Sequence, residues 1–151
     1  MDDTPVLVIV SGYFGPLHCG HLDMIEAGAA RGDRLAVIVN NNAQQVLKKG
    51  KLVIDEKDRL RIVQALRAVD DAMVSIDDDA TVRASIERFA QKYGDHHIIF
   101  GNGGDRDSGA VVPESAICEK YNIEMVFDMG GSEKRDSSSR INQELGIEDP
   151  T

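Results

Sequence analysis

The stretch Val6-Leu7-Val8-Ile9-Val10 is an unbroken apolar run, and Ser11-Gly12-Tyr13-Phe14-Gly15-Pro16-Leu17-His18-Cys19-Gly20-His21 follows it directly. A run without polar alternation reads as a strand buried on both faces, the pattern of a central strand in a parallel sheet. Beyond the glycine-bearing loop, Leu22, Ile25 and Ala29 recur at helical spacing, and Gly32 supplies a stop. Residues 34–39 predict a second strand, and residues 40–51 a polar stretch. Residues 55–69 predict a helix with Leu60, Val63, Leu66 and Val69 on one face behind the capping candidate Asp55, and residues 72–76 a third strand. Thr81 is placed to cap a helix striped by Val82, Ile86, Phe89, Ala90 and Tyr93 and ending at Gly94, before a fourth strand at residues 97–100. A long loop over residues 101–109 leads to a helix opened by Pro113 and running through Tyr121, then to a fifth strand at 123–127. Residues 137–145 suggest a last short helix. Strand and helix in alternation predict an α/β fold, an open, mostly parallel sheet of about five strands with helices on both faces and right-handed crossovers. Ligands of such sheets bind beyond the carboxyl ends of the strands, so the loops after Val10, Val39, Phe100 and Phe127 are where chemistry is expected.

The 151 residues read as a single domain, 1–151, without linker or repeat, and 42% hydrophobic residues are enough for a core. No apolar run approaches the roughly 20 residues of a membrane span, and two cysteines do not make a disulfide framework, so a reducing cytoplasm is expected. With 17 Lys plus Arg against 26 Asp plus Glu, the formal charge of −9 repels a nucleic-acid backbone. The one dense basic cluster, Lys48, Lys49 and Lys51, is too short to reverse that, so neither nucleic acid nor membrane is an expected partner.

His18 and His21 stand three residues apart at the predicted start of a helix, where such spacing places them on one face. A helix N-terminus offers unpaired backbone N–H groups and partial positive charge, and Gly20 between the rings removes a side chain that would block a close phosphate. Two other readings stand beside a phosphate site: His18 caps the helix while His21 packs on the sheet, or the pair begins a metal site. Two ligands are too few for a metal, and the sequence offers no evident third. Position and glycine together point to phosphate.

Gly12-Tyr13-Phe14-Gly15-Pro16-Leu17-His18-Cys19-Gly20-His21 after a buried strand resembles the HxGH signature of the cytidylyltransferase-like nucleotidyltransferases. The nearest small members are the glycerol-3-phosphate cytidylyltransferases, with heptose-phosphate adenylyltransferases and archaeal FAD synthetases as cousins. The resemblance runs from about Val6 to Ile141. It implies a Rossmann-like fold and transfer of a nucleoside monophosphate, CMP from CTP first and AMP from ATP as the alternative, to a small phosphate- or phosphonate-bearing acceptor with release of pyrophosphate. It further implies Mg²⁺ carried mainly by the triphosphate, and a homodimer. His18 and His21 take catalytic roles by this resemblance, together with Lys48 and Lys51 of a lysine-bearing loop, while Lys134, three residues before Ser137, is expected to supply the charge of the family arginine that falls on Ser132. Gly12, Tyr13, Phe14, Gly20 and the helix arginine Arg59 are implied in nucleotide binding. So are the serines Ser137, Ser138 and Ser139, which match a segment that holds the β- and γ-phosphates, and Gly101 and Asn102 open a glycine-bearing loop whose backbone is expected to approach a base or sugar.

Several positions depart from the family's pattern. Gly15 stands where a carboxylate is usual, Ser132 where an arginine is usual, and the chain has no Trp for the loop after the fourth strand. That loop carries glycines with Asp105 and Arg106, which are expected to meet an acceptor's polar and phosphate groups. No enzyme nucleophile is required, because the acceptor's phosphate oxygen attacks the α-phosphorus. Catalysis then consists of positioning and charge stabilisation, with the imidazoles expected to be kept protonated by the polyanion. A non-catalytic nucleotide-binding module of the same fold is the rival reading, motivated by Gly15 and Ser132. A dinucleotide-dependent oxidoreductase lacks its GxGxxG and its ribose-binding acid, since Asn40, Asn41 and Asn42 end the second strand. A phospho-receiver lacks acidic residues after the first strand.

Overall fold

The computed structural model describes residues 3–50, 54–101 and 113–126, with the side chains of Lys48 and Lys49 excepted. The run that opens the chain becomes β1 (Val6–Gly12), flanked in the sheet by β2 (Arg34–Val39) on one side and β4 (His97–Gly101) on the other. With β3 (Asp71–Val74) beyond β2 and β5 (Glu124–Val126) beyond β4, the order is β3-β2-β1-β4-β5, and every pairing is parallel. Alternate residues of β1 explain its continuous hydrophobicity. Leu7 and Ile9 face one core with Ile98 and Phe100, and Val8 and Val10 face the other with Leu35, Val37 and Ile99.

Helices cover both faces. Met24 and Ile25 of α1 (Cys19–Ala29) and Val63 of α3 (Glu56–Gln64) close the Val8 side. Ile86, Phe89 and Ala90 of α4 (Arg83–Lys92) and Cys118 of α5 (Ser115–Lys120) close the Leu7 side. The chain leaves β1 towards β2 and β3, then returns across β1 to build β4 and β5. The strand order therefore reverses beside β1, and the crevice of a doubly wound sheet opens at the carboxyl ends of β1 and β4.

The polar stretch after β2 is a helix, α2 (Asn42–Lys49). Asn41 caps it, its side chain accepting from the Gln44 amide at 2.9 Å while the Gln44 side chain accepts from the Asn41 amide at 2.9 Å. Periodicity hides this helix because its inward face carries Gln44 and Gln45, both fully buried, while Val46 and Leu47 are exposed. Three other boundaries move. α3 ends at Gln64, five residues short of the expected Val69, and continues as turns in which Leu66 N–H donates to Val63 and Val69 N–H to Leu66. α4 starts from Val82, not Thr81, because the Asp77 carboxylate accepts from the amides of Ala84 and Ser85 and does the capping from outside the helix. α5 begins at Ser115, with Pro113 in the turn before it. Phe127, the helix expected at residues 137–145 and most of the loop after β4 lie outside the described residues.

Candidate active site

β1 delivers its last residue, Gly12, to the crevice, and the loop then folds back on itself. Phe14 adopts a positive φ of 53°, and its ring is buried beneath the loop at 1% exposure. A side chain on Gly12 would meet that ring at 2.9 Å, so glycine is what lets the ring lie there. Gly15 is buried too, joined to Pro16 by a cis peptide bond, and a Cβ on it would meet the Gln45 amide nitrogen at 2.7 Å. Phe14 presents its ring edge to His21, with centroids 4.9 Å apart. Phe14, with Gly12 above its ring, thus forms the floor on which His21 rests.

His18 is the N-cap of α1, and its Nδ1 accepts from the Gly20 amide at 3.1 Å. His21 reaches back, its Nδ1 accepting from the His18 amide at 3.2 Å. The rings stack with centroids 3.9 Å apart and planes 28° from parallel. The capping reading and the ligand reading of these histidines are therefore compatible, because each ring has two nitrogens. An Nδ1 that accepts a backbone N–H carries no proton, which assigns the hydrogen of each neutral ring to Nε2 and makes that atom a donor. The expected protonation by a bound polyanion concerns the ligand-bound state; here Nδ1 is the nitrogen that each ring commits to the helix start. The amide cradle differs from the expected one. Gly20 N–H is engaged by His18, and the N–H groups of His21 and Leu22 donate to the His18 carbonyl, so Gly20 serves the cap and is not an open phosphate donor. Donation into Nδ1 polarises the imidazole and strengthens the Nε2–H as a donor.

Beside this loop, the carboxyl end of β2 forms a second polar corner. Asn41 donates to the carbonyls of Ser75 and Asp77, and Gln44 to those of Asp79 and Thr81, tying α2 to the segment after β3. Asn42 and Glu56 exchange hydrogen bonds at 2.9 and 2.8 Å, which docks α2 on α3. Asp55 caps α3 through the Lys57 amide and also accepts from Asn42, and these bonds hold its carboxyl below the usual range.

Arg59, expected among the nucleotide ligands, is fully buried. Its Nε donates to the Ile54 carbonyl, one terminal nitrogen to the carbonyls of Tyr13 and Asn40, and the other to the Asn42 side chain. Burial pushes the guanidinium below its ordinary pKa, countered by the charges of Glu56 and Asp55. These bonds tie the main chain of the histidine loop at Tyr13 to the end of β2 and to the starts of both following helices. The Asn-x-x-Gln pattern over residues 41–44 was the readable signal for this corner.

Gly101 closes β4 buried beside Val10, at the crevice. Lys48 falls in the last turn of α2. Lys51, Asn102, Asp105, Arg106, Lys134, Ser137, Ser138 and Ser139 lie outside the described residues. Among the described residues no three His, Cys, Asp or Glu side chains converge into a metal-holding group, and no helix is long and apolar enough to cross a membrane.

The sequence profile of the cytidylyltransferase-like family matches residues 9–143. An FAD synthase from Natrialba magadii is 33% identical over 127 residues, 84% of this chain and 79% of that protein. The bifunctional protein HldE of Azorhizobium caulinodans is 31% identical over 128 residues, 80% of this chain, and the chain spans 26% of HldE. Among solved structures, the lipopolysaccharide core biosynthesis protein of Thermoplasma volcanium superposes with a TM-score of 0.62 at 22% identity, covering 87% of this chain and 99% of that one.

Proposed function

The chain belongs to the cytidylyltransferase-like family and is a nucleotidyltransferase, and on that premise we propose that it joins a nucleoside monophosphate from a triphosphate to a small phosphorylated acceptor, with pyrophosphate as the leaving group. The observation that carries this reading is the stacked histidine pair, each ring fixed through Nδ1 to the first turn of α1. Rings held in this way point their Nε2–H donors without further ordering, which suits the stabilisation of charge that grows on α-phosphoryl oxygens as the acceptor oxygen attacks. The bond from the α-phosphorus to the bridging oxygen breaks, and its electron pair leaves with pyrophosphate. Lys48, Lys51 and Lys134 are the candidates to neutralise that leaving group. Mg²⁺ enters as part of the metal–nucleotide substrate.

FAD contains an AMP half, so kinship with an FAD synthase over most of the chain supports ATP as the first donor to test. CTP, preferred on the resemblance to glycerol-3-phosphate cytidylyltransferases, becomes the second. The experiment is pyrophosphate release by the purified protein with Mg²⁺ and either ATP or CTP, against glycerol 3-phosphate, a heptose phosphate, FMN and 2-aminoethylphosphonate. Repeated turnover that requires both a triphosphate and an acceptor is the expected result. Saturable nucleotide binding with no pyrophosphate from any pair would overturn the reading in favour of a binding module.

A further inference from the structure

Gln44 and Gln45 are neighbours on α2, and both side chains are fully buried. Gln44 uses both ends of its carboxamide: Oε1 accepts from Asn40 and from the Asn41 amide, and Nε2 donates to the carbonyls of Asp79 and Thr81. Gln45 uses neither, for its Oε1 and Nε2 have no hydrogen-bond partner. A buried carboxamide left in this state carries an uncompensated desolvation penalty that an apolar side chain of the same size would avoid. Packing alone therefore does not explain a glutamine here.

Its location does. The Gln45 amide nitrogen lies 2.7 Å from the point that a Gly15 Cβ would occupy, with Arg59 Cδ 3.4 Å from the same point. The amide thus packs directly on the main chain of the loop that carries His18 and His21, and it fits because position 15 has no side chain. We infer that Gln45 is a specificity-determining residue, whose carboxamide takes a neutral substrate group offering both a donor and an acceptor, such as a sugar hydroxyl or a base amide edge. A phosphate is the wrong chemistry, because it only accepts and would leave Oε1 without a donor. Because Gln45 is fully buried, residues 15–17, between Phe14 and the His18 cap, must move outward for the group to reach the amide. This inference rests on the transfer reading for its substrates, which are two: the neutral group belongs either to the nucleoside or to the acceptor.

The two sources separate in steady-state kinetics of the wild type, Q45M and Q45E with ATP or CTP and the acceptors named above, alongside thermal melting. Methionine fills the same volume without polar atoms, so Q45M is expected to melt at or above the wild-type temperature. The KM for one substrate is expected to rise about tenfold, with kcat within about twofold. A rise confined to the triphosphate assigns the group to the nucleoside, and a rise confined to the acceptor assigns it there. Q45E retains oxygen acceptors and loses the amide donor, so it shares the defect. Unchanged KM values for both substrates in a folded Q45M would overturn the inference. Should the wild type release no pyrophosphate at all, the transfer reading fails separately. Calorimetric titration of ATP, CTP and glycerol 3-phosphate into wild type and Q45M then decides the role of Gln45, with weaker binding by Q45M supporting it and equal affinities overturning it.

Discussion

Two corners stand side by side at the carboxyl edge of the sheet, one after β1 and one after β2, and both begin a helix with a reciprocal cap. His18 and His21 make the first, and Asn41 and Gln44 the second. They differ in where the second polar end of each capping side chain goes. At the β2 corner, the amide groups of Asn41 and Gln44 continue inward to carbonyls of the segment after β3, so the corner is a clasp. At the β1 corner each imidazole has one nitrogen fixed to the helix start, and that fixation orients the opposite nitrogen as a donor. A carboxamide clasp holds the frame still, and an imidazole cap holds two aromatic rings still beside the loop. Arg59 connects the two by donating to Tyr13 on one side and to Asn40 and Asn42 on the other.

The sharpest way to break this comparison is to give the first corner the chemistry of the second. In His18→Asn the new side chain keeps an oxygen able to accept from Gly20, and asparagine is a favoured cap, so the melting temperature should stay within a few degrees of wild type. The Nε2 donor is lost, and on the transfer reading kcat/KM for pyrophosphate release should fall by about 10²–10³, the usual effect of removing one such donor. His21→Ala should lose a comparable factor. Near-normal turnover by His18→Asn would show that the rings only cap.

The same contrast explains what the sequence reveals and what it hides. Five strands and four helices are legible because their burial follows apolar periodicity, and β1 is plainest since both of its faces meet a core. The helix Asn42–Lys49 is hidden because its buried face is Gln44 and Gln45, and glutamine signals exposure until its partners in a distant segment are known. Among candidate ligands, the histidine pair is legible from spacing at a helix start. The inward duty of Arg59 is not, because a helix arginine looks alike in sequence whether it faces solvent or, as here, three main-chain carbonyls brought together from different segments.

Cutting the link between the corners is the next test in order of effect. Arg59→Met removes the donors to Ile54, Tyr13, Asn40 and Asn42 while keeping much of the side-chain volume. Leaving those buried acceptors unpaired should destabilise the fold by about 3 kcal/mol, a fall of roughly 6–12 °C in Tm for a chain of this size. If the arginine acts by positioning the histidine loop, kcat/KM should fall about 100-fold at temperatures where the variant is still folded. Arg59→Lys should not rescue it, because an ammonium has three donors on a point charge and lacks the planar fork. A variant that loses stability and keeps full turnover would separate the two corners and undo the link.

A third polar cluster, at the opposite end of the sheet, supplies the control for both. Asp71 begins β3, and its carboxylate accepts from Lys92 at 2.6 Å and Tyr93 at 2.7 Å. Burial raises the Asp71 pKa, but the hydrogen bonds from Lys92 and Tyr93 outweigh it and hold the carboxyl below its ordinary 3.8. Burial and the Asp71 charge push the Tyr93 hydroxyl up to about 12. The signs give two windows. A lowered carboxyl pKa contributes stability above the ordinary value that is lost as pH falls through the folded one, and a raised phenol pKa contributes stability that is lost as pH rises between 10 and about 12. Asp71→Asn should therefore flatten the melting profile below pH 4 and above pH 10. At neutral pH it should lower Tm by only about 2–4 °C, because Lys92 is exposed and a partly solvated pair contributes no more than about 1 kcal/mol. Turnover should be unchanged, since this end of the sheet holds no part of the histidine loop or its clasp. A loss of kcat in Asp71→Asn would mean that the chemistry depends on the stability of the whole sheet rather than on how the two corners direct their polar atoms.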